Sequence, residues 1–296
     1  MLTVYPRSKA TYSASSYAAF RPSYPEKLYK TLVSYHKGPS NLCIDLGCGH
    51  GVVSRALAGH FTTVLGTDPS AVMIAQARSS TPSSSYPNVT YVEAAAESLP
   101  MVSSGTVDMV VAGQAAHWFN YPRLFPELAR VVRSGGTLAF WGYKDHVFVD
   151  FPRASKIMDH YAHGKDDRLL GPYWAQPGRS IVENRLRDIK PPRDVWTDIE
   201  RLEYDPKTNG AASGEGDLLM QRKLTLGMCM DYIRTWSSYH AWQQKFPKES
   251  GIRDVVDEMF EKMVEAEPAW KEKGEKWKDL EVTIEWGSGI LLARKM

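Results

Sequence analysis

The segment from Leu42 to Gly51, LCIDLGCGHG, constrains the fold more than any other part of the chain. Its apolar run is typical of a buried strand, and three glycines at alternate positions follow that run. Closely spaced glycines let a chain turn sharply and bring bare backbone against a ligand. We therefore predict a strand that ends in a ligand-binding turn at Gly47, Gly49 and Gly51. A tight strand-to-helix turn that binds nothing is the alternative.

The glycine spacing separates two classes of nucleotide cofactor. With Asp45 at the end of the strand, the order of residues is DxGxGxG. The dinucleotide-binding order GxGxxG would require a third glycine at position 52, which is Val52. A nicotinamide cofactor therefore fits this loop less well.

A second acidic residue, Asp68, ends the next apolar run. In a βαβ unit, an acid at the tip of the neighbouring strand can accept hydrogen bonds from the two hydroxyls of a ribose. Pro69 follows, and Ser70 is the expected N-cap of an amphipathic helix that contains Met73. Asp68 thus predicts a ligand that contains adenosine, without choosing between cofactors.

Strands and helices alternate along the first half of the chain. A helical pattern begins at Pro25, and the third, fourth and fifth strands are predicted at NVTYVEA, TVDMVVAG and TLAFWGY. This order predicts an α/β fold with a parallel, doubly wound sheet, whose ligand lies beyond the carboxyl ends of the strands. Asp45, Asp68 and Glu97 all fall at or after predicted strand ends, which agrees with that location.

The second half of the chain has a different pattern. Aromatic and charged segments are interrupted by GPYWAQPGRS and DPKTNGAASGEGD, and the chain closes with a strand pattern that we expect to bend at Gly287 and Gly289. We expect one domain over residues 1–296. Its parts are an N-terminal lid region at 1–38, a nucleotide-binding core at 39–143, a helical cap at 144–280 with one core strand near 195–204, and a terminal core strand at 281–296.

Composition excludes several classes of function. The net charge is +2 and no strongly basic run occurs, so nucleic acid is not an expected partner. No apolar run approaches the length of a membrane span, and we expect no membrane association. Cys43, Cys48 and Cys229 lack zinc-like spacing, which predicts no metal site and favours a reducing, cytoplasmic compartment.

The DxGxGxG loop resembles motif I of the class I S-adenosylmethionine (SAM) methyltransferases. The resemblance implies a Rossmann-like, mainly parallel seven-stranded sheet, with SAM as the cofactor of Asp45 and the glycine loop. The segment YVEAAAESLPM resembles the loop that lies beside the adenine in this family. Many relatives carry an aspartate where this chain has Ala95, so backbone groups at Ala95 and Ala96, together with Glu97, are the expected contacts.

The segment GQAAHWFN follows the fourth strand, at the position that faces the sulfonium and the acceptor in this family. The resemblance makes Gln114 a candidate for the methionine end of SAM. His117 is a candidate base for a hydroxyl acceptor or a donor to a substrate carboxylate, and a structural histidine is the alternative. The N-terminal YAAFRPSYP resembles the family's lid, in which Tyr17 and Arg21 would close over SAM. Simple docking of an N-terminal helix on the core would explain the same residues.

Two later segments, GPYWAQPGRS and DYIRTWSSYHAW, combine arginine with aromatic residues. Together with RPSYP, AHWF and FWGY they resemble the fungal trans-aconitate 3-methyltransferases, which methylate a carboxylate oxygen. The resemblance implies that Arg179 and Arg234 bind the acceptor carboxylate. Structural ion pairs are the alternative for both arginines. Four further residues are implied as walls or secondary donors: Tyr173, Trp174, Tyr232 and His240.

The predicted function is transfer of the SAM methyl group to a carboxylate of a small acid, such as trans-aconitate. A carboxylate is already ionised at neutral pH, so its methylation needs orientation and exclusion of water rather than a base or a metal. Three alternatives stay open: methylation of oxygen, nitrogen or carbon in a secondary metabolite, cyclisation without methyl transfer, and SAM binding without turnover.

Overall fold

A nine-stranded sheet organises the part of the chain that the computed structural model describes, residues 24–296. Across the sheet the strands follow the order β3-β2-β1-β4-β5-β9-β6-β7, and β8 pairs with one end of β9. Their bounds are β1 Leu42–Leu46, β2 Thr63–Asp68, β3 Val89–Glu93, β4 Val107–Gly113, β5 Val132–Phe148, β6 Trp196–Asp205, β7 Glu215–Gly216, β8 Gln221–Thr225 and β9 Glu281–Lys295.

Helices cover both faces of this sheet, and six of the α-helices lie in the segment between β5 and β9. Short 3₁₀ turns at Ala116–Trp118 and Gly171–Tyr173 border the region described below as the site. The α-helices are α1 Glu26–Tyr35, α2 Val52–Leu57, α3 Ala71–Ser79, α4 Tyr121–Val131, α5 Pro152–His163, α6 Gly178–Glu183, α7 Leu226–Arg234, α8 Ser237–Lys245, α9 Val255–Ala266 and α10 Pro268–Lys271.

The first five strands run parallel, so their carboxyl ends lie along one edge of the sheet. Asp45 pairs with Gly66 in the register of β1 and β2, and Asp68 pairs with Glu93 in that of β2 and β3. The strand order reverses between β1 and β4, which is where ligands bind in folds of this type. The predicted doubly wound, mainly parallel sheet is confirmed.

Side chains that alternate along the central strands supply two separate cores. Met109 of β4 packs into the core that holds α1 and α2, whereas its neighbour Val110 packs into the core that holds α4. This alternation follows from the two-residue period of a strand. Both faces are therefore apolar, and the strands read as continuous hydrophobic runs, as expected for a sheet that is buried on both sides.

The pairing of β5 with β9 extends beyond the parallel part of the sheet. The fifth strand was predicted to end near Tyr143 but continues to Phe148. Tyr143 pairs with Ser288 and His146 with Trp286, so two residues of β5 face Gly287 alone. This is a β-bulge, a feature that bends a strand and redirects its side chains.

The two glycines of the terminal strand make room for neighbouring chain. β9 runs without interruption through Gly287 and Gly289, where we expected a bend, and the bulge of β5 lies opposite Gly287. A Cβ atom at Gly287 would lie 2.3 Å from Cε of Lys144, and one at Gly289 would lie 2.5 Å from the Arg185 carbonyl oxygen. Close approach is the reason for glycine at both positions.

The seven-stranded sheet expected from the resemblance corresponds to β3-β2-β1-β4-β5-β9-β6. The strand expected near 195–204 is β6, and the segment 144–280 adds the short strands β7 and β8. The three cysteines are free and buried. None of the helices within residues 24–296 is long and apolar enough to cross a membrane.

We predict that Asp108 is a main determinant of stability at the amino ends of the central strands. Its buried carboxylate accepts hydrogen bonds from the amides of Asn41 (2.8 Å) and Leu42 (3.0 Å) and from Arg133. Asp108→Ala removes all three and should lower the free energy of unfolding by about 2–4 kcal/mol in chemical denaturation. The exposed acid Asp150 is the control, and Asp150→Ala should change stability by less than about 0.5 kcal/mol. Equal effects of the two substitutions would contradict this assignment.

Candidate active site

The glycine loop between β1 and α2 has a left-handed backbone at all three glycines. The φ angles are 64° at Gly47, 54° at Gly49 and 83° at Gly51, values that residues with a Cβ atom rarely adopt. A Cβ at Gly47 would lie 2.6 Å from Cβ of Ala115, and one at Gly51 would lie 2.2 Å from the Tyr91 hydroxyl. A Cβ at Gly49 would meet no atom within 4 Å. The loop therefore packs tightly at its two ends and faces open space at its middle glycine.

Asp45, at the end of β1, has one carboxylate oxygen with a partner and one without. Its Oδ2 accepts a hydrogen bond from the Ser54 hydroxyl at 2.6 Å, and its Oδ1 is buried with no partner among the described residues. Burial raises the pKa of Asp45 to about 7, although the bond from Ser54 opposes the shift. Because a donor or a cation beside Oδ1 would satisfy this oxygen, Asp45 fits a ligand that carries an amino group.

Asp68 connects the end of β2 to the glycine loop. Its Oδ2 accepts the amide of Gly49 at 3.0 Å, and its Oδ1 accepts the amide of Ser70 at 2.9 Å. Ser70 is the N-cap of α3, as predicted, since its hydroxyl accepts the amide of Met73. Burial raises the pKa of Asp68, with both amides acting against the shift. Each carboxylate oxygen has a second lone pair, so two hydroxyls can still bind here.

The loop after β3 approaches the same edge of the sheet. Ala95 is exposed, Ala96 is buried, and Oε1 of Glu97 accepts the amide of Asn120 at 2.7 Å. Glu97 therefore holds the start of α4 against this loop. Four features that a bound SAM would need lie on one edge: the open face of Gly49, the unpartnered oxygen of Asp45, the carboxylate of Asp68 and the backbone of Ala95. Tyr17 and Arg21 lie outside the described residues.

A cavity of about 160 Å³, which we call the front cavity, lies beyond the carboxyl end of β4 and beside the bulge of β5. It is close in size to an engineered cavity of about 150 Å³ that holds a benzene-sized molecule. The residues that line it come from the end of β4, the bulge of β5, both 3₁₀ regions and helices α6 to α8: Gln114, His117, Trp118, Tyr143, Lys144, Asp145, Trp174, Ala175, Arg179, Val182, Tyr232, Trp236 and Ser237.

Gln114 fixes one wall of the front cavity. Its Nε2 donates to the carbonyl of Tyr143 at 3.0 Å, and its Oε1 accepts the amide of Tyr143 at 2.7 Å. The backbone of Gln114 has φ = 53°, an unfavourable value for a residue with a side chain. The side chain thus extends the β4–β5 pairing by one residue and holds Tyr143 at the cavity.

Four charged side chains form a closed cluster behind the front cavity. The guanidinium of Arg179 contacts Oδ2 of Asp145 and, through Nε, Oε1 of Glu183 at 2.7 Å. His163 contacts the same two oxygens, at 3.0 Å from Asp145 and 3.1 Å from Glu183. We call these residues the charge quartet. Both cations contact the same two carboxylate oxygens, so each charge of the quartet has a partner of opposite sign.

The charge quartet shifts the pKa of its members in the expected directions. Hydrogen bonds to Asp145 and then Glu183 raise the pKa of His163 to about 9. Burial acts to raise the pKa of Asp145, but the charge of Arg179 and the contact with His163 hold it well below its ordinary value. Both ring nitrogens of His163 face carboxylates, which requires the protonated imidazolium.

Arg179 also forms part of the wall of the front cavity. Its Cζ atom lies 4.0 Å from the ring centroid of Trp174, whose indole nitrogen donates to the carbonyl of Ala162 at 2.8 Å. Arg179 is only 8% exposed, and its Nη1 takes part in none of the contacts of the charge quartet. A planar guanidinium held in this way presents a preorganised donor.

Of the two arginines that the sequence suggested as ligands of the acceptor carboxylate, only Arg179 lines the front cavity. Arg234 contacts Asp254 at 3.4 Å and Asp257 at 2.8 Å, and it is not among the residues that line the front cavity. Tyr173 and His240 do not line it either. The hydroxyl of Tyr173 donates to the carbonyl of Asp167. Trp174, Tyr232 and His117 do line the cavity.

Sequence reasoning missed several residues that border the front cavity. Lys144 and Asp145 lie in the bulge of β5, immediately after the point where the fifth strand was expected to end. The rule that singled out acids after the first three strands would have found Asp145 if applied to the fifth. Trp118, the neighbour of His117 in the AHWF segment, also lines the cavity. His163 had no signal in the sequence, because its partners lie on distant elements.

Comparison with known proteins identifies relatives over most of the chain. Residues 44–140 match the family described as a methyltransferase domain. The chain is 30% identical over 292 residues to the probable S-adenosylmethionine-dependent methyltransferase CRG1 of Saccharomyces cerevisiae, and the match covers 96% of each protein. It is 30% identical over 254 residues to a candidate methyltransferase of Dictyostelium discoideum, with 86% of this chain and 84% of the relative covered.

The fold also resembles a solved structure. A candidate type II methyltransferase from Anaeromyxobacter dehalogenans matches with a TM-score of 0.68 and 27% identity. The match covers 93% of this chain and 98% of that protein. The similarity therefore includes the helical segment between β5 and β9 as well as the sheet.

We predict that His163 contributes to the stability of the charge quartet only while its ring is protonated. The pKa of His163 is about 9 in the folded protein, above its ordinary value of about 6.5, so the added stability is complete below about pH 6.5 and lost as the pH rises through 9. The difference in unfolding free energy between wild type and His163→Gln should therefore be largest near pH 6 and shrink by pH 10. Denaturation at a series of pH values measures it, and a difference that is constant with pH would contradict the prediction.

Proposed function

Because the chain belongs to the S-adenosylmethionine-dependent methyltransferases, we propose that it methylates a carboxylate oxygen of a small acid bound in the front cavity. The products are a methyl ester and S-adenosylhomocysteine. The observation that carries this proposal is the buried Arg179 on the wall of the cavity, stacked on Trp174 and aligned by two carboxylates. A small polycarboxylic acid such as trans-aconitate is the class of acceptor that we favour.

Two cationic side chains of the front cavity can orient an anionic acceptor. Lys144 and Arg179 line it beside the anion Asp145, and Asp205 also pairs with Lys144 and Glu183 with Arg179. A carboxylate has an ordinary pKa of about 4 and is ionised at neutral pH, so its oxygen is already a nucleophile. Such a site needs donors that orient the anion, and it needs no general base.

The glycine loop and its acids are the proposed cofactor site. We assign Asp68 to the ribose hydroxyls, Asp45 and Gly47 to Gly51 to the methionine end, and the backbone at Ala95 and Ala96, near Pro69, Met73 and Glu97, to the adenine. When bound, SAM supplies an electrophilic methyl group, and its carbon–sulfur bond breaks as the new oxygen–carbon bond forms. Gln114 was a candidate for the methionine end, but both ends of its amide bind Tyr143. We assign it to holding the cavity wall.

The chain itself contributes position and exclusion of water. Nη1 of Arg179 is the proposed donor to one oxygen of the acceptor carboxylate, which leaves the other oxygen free to attack. Trp174 and Tyr232 are the proposed walls, and the Tyr232 hydroxyl is fixed by the indole of Trp286 at 3.1 Å. Holding two reactants in register removes much of the entropic barrier to their reaction.

A hydroxyl acceptor is the second candidate, and the position of His117 favours it. His117 lines the same cavity and could remove a proton from a hydroxyl group. Incubation with methyl-labelled SAM and a panel of small carboxylic acids and phenols, followed by mass spectrometry, distinguishes the two. Label in a methyl ester supports the proposal, whereas label only in ethers, with turnover abolished in His117→Ala, would favour the second candidate.

We expect Asp68→Ala to weaken SAM binding by at least tenfold, because two hydrogen bonds from the ribose to a buried carboxylate are lost. Isothermal titration calorimetry measures the affinity. Asp279 is an exposed acid of the helical segment, and Asp279→Ala should bind SAM like wild type. Unchanged affinity in Asp68→Ala would overturn the assignment of the ribose site.

The two arginines provide a matched pair for the acceptor site. Arg179→Gln should raise the KM for the acceptor by about 10–100-fold, since it removes a charge-assisted hydrogen bond, and should leave SAM affinity nearly unchanged. Arg234→Gln breaks ion pairs with Asp254 and Asp257 outside the front cavity and should leave the acceptor KM within about twofold. Steady-state kinetics, with thermal melting of both variants, test this. Equal acceptor KM values in the two variants would count against Arg179 as the donor.

A further inference from the structure

A second cavity lies behind the charge quartet, between β5 and α5. This rear cavity has a volume of about 330 Å³ and is lined by His146 and six charged side chains, among other residues. Lys144, Asp145 and Arg179 line both the front and the rear cavity. The two cavities therefore border each other at these side chains. Lys144 has a flexible stem and is 31% exposed, but its Nζ pairs with Asp205 at 3.0 Å, so moving it aside breaks that ion pair without a change in the backbone.

His146 is the unexplained residue of the rear cavity. It is 1% exposed, and neither of its ring nitrogens has a hydrogen-bond partner among the described residues. Its ring lies among those of Phe148, Tyr232 and Trp286, with centroids 5.1–5.8 Å away. A buried imidazole with two unsatisfied nitrogens is unfavourable, because both were hydrogen-bonded to water in the unfolded chain. Both nitrogens are enclosed by neighbouring atoms, so a polar group can bind them only after a lining side chain of the rear cavity has moved.

The chemistry of that group follows from the charges of the rear cavity. The cations are Lys144, His163 and Arg179, and the anions are Asp145, Asp159 and Glu183, so the lining has no net charge. Burial lowers the pKa of His146 to about 4, against the influence of Asp145, so its ring is neutral near pH 7. A neutral imidazole offers one donor and one acceptor. Its complement is an uncharged group that both accepts and donates, such as a hydroxyl.

We propose that the rear cavity binds the far end of an elongated acceptor, where His146 hydrogen-bonds an uncharged hydroxyl while the carboxylate to be methylated occupies the front cavity. This inference rests on the proposed function, methylation of a carboxylate oxygen, and names hydroxy acids as the acceptor class in place of the polycarboxylic acids favoured there. It also sets a direction for specificity. A second carboxylate at the far end would lose hydration without meeting a net positive charge, so it should bind less well than a hydroxyl.

The test compares acids of equal length that differ only at the far end. Binding of 4-hydroxybutanoate, 6-hydroxyhexanoate and 8-hydroxyoctanoate is measured by calorimetry in the presence of S-adenosylhomocysteine, beside the matching alkanoates and dicarboxylates. At one of these three chain lengths, the hydroxy acid should bind about tenfold more tightly than the alkanoate and the dicarboxylate of the same length. A tenfold difference corresponds to one added hydrogen bond to a buried group. Equal binding at every length, tighter binding of the dicarboxylate, or no binding of any of these acids would overturn the proposal.

Two variants of His146 assign the preference to that side chain. His146→Phe fits the aromatic surroundings but has no polar atom, and it should reduce the preference for the hydroxy acid to less than about twofold. His146→Gln keeps a donor and an acceptor and should retain part of the preference. If a folded His146→Phe protein keeps the preference, the role of His146 is refuted. If His146→Phe does not fold, the comparison of the three kinds of acid with the wild-type protein decides the proposal.

The binding measurement also separates this inference from the proposed function. It does not depend on methyl transfer, so a preference for the hydroxy acid can be seen even if no ester forms. Absence of label in every acid would refute carboxyl methylation. Absence of the preference, with ester formed from short acids, would refute only the role of the rear cavity.

Discussion

The antiparallel pairing of β5 with β9 is the constraint on which the rest of the structure depends. At one end of this ladder, β9 pairs with the part of β5 that adjoins the parallel strands. At the other end, the ladder extends into the helical segment, where β9 also pairs with β8. The bulge in its middle puts Lys144 and Asp145 opposite Gly287 alone, because an extra residue in one strand must leave the ladder. Those two side chains line the front and the rear cavity. The bulge in this otherwise regular pairing thus positions two side chains that line both cavities.

The charge quartet explains how so much charge is tolerated beside an apolar core. Removing an isolated charge from water is very unfavourable, and the cost falls only when partners and hydrogen bonds are supplied. Arg179 and His163 bind the same oxygens of Asp145 and Glu183, so neither carboxylate is left with a single partner. The same contacts fix the guanidinium against Trp174. A side chain preorganised in this way loses little further freedom when it binds an anion.

More of the proposed cofactor site than of the proposed acceptor site could be predicted from the sequence. Gly47, Gly49, Gly51, Asp45 and Asp68 lie within short segments, where glycine spacing and strand ends directly limit the geometry. Arg179 and Arg234 looked equivalent, because each stands among aromatic residues in a segment of similar composition. The structure sets them apart: Arg179 lines the front cavity, and Arg234 contacts Asp254 and Asp257. Ion-pair partners that are distant in sequence leave no local pattern, so the sequence alone could not distinguish these two arginines.

The sequence by itself determined a parallel doubly wound sheet, a sharp turn at the three glycines and an acid at the end of each of the first two strands. Periodicity and backbone sterics act between neighbours in the chain, so a single sequence records them. Tertiary structure alone decided that His163 would complete the charge quartet and that His146 would be buried without a hydrogen-bond partner among residues 24–296. Both outcomes depend on how α5 packs against the extended end of β5. That packing reflects contacts between distant segments, which local spacing does not encode.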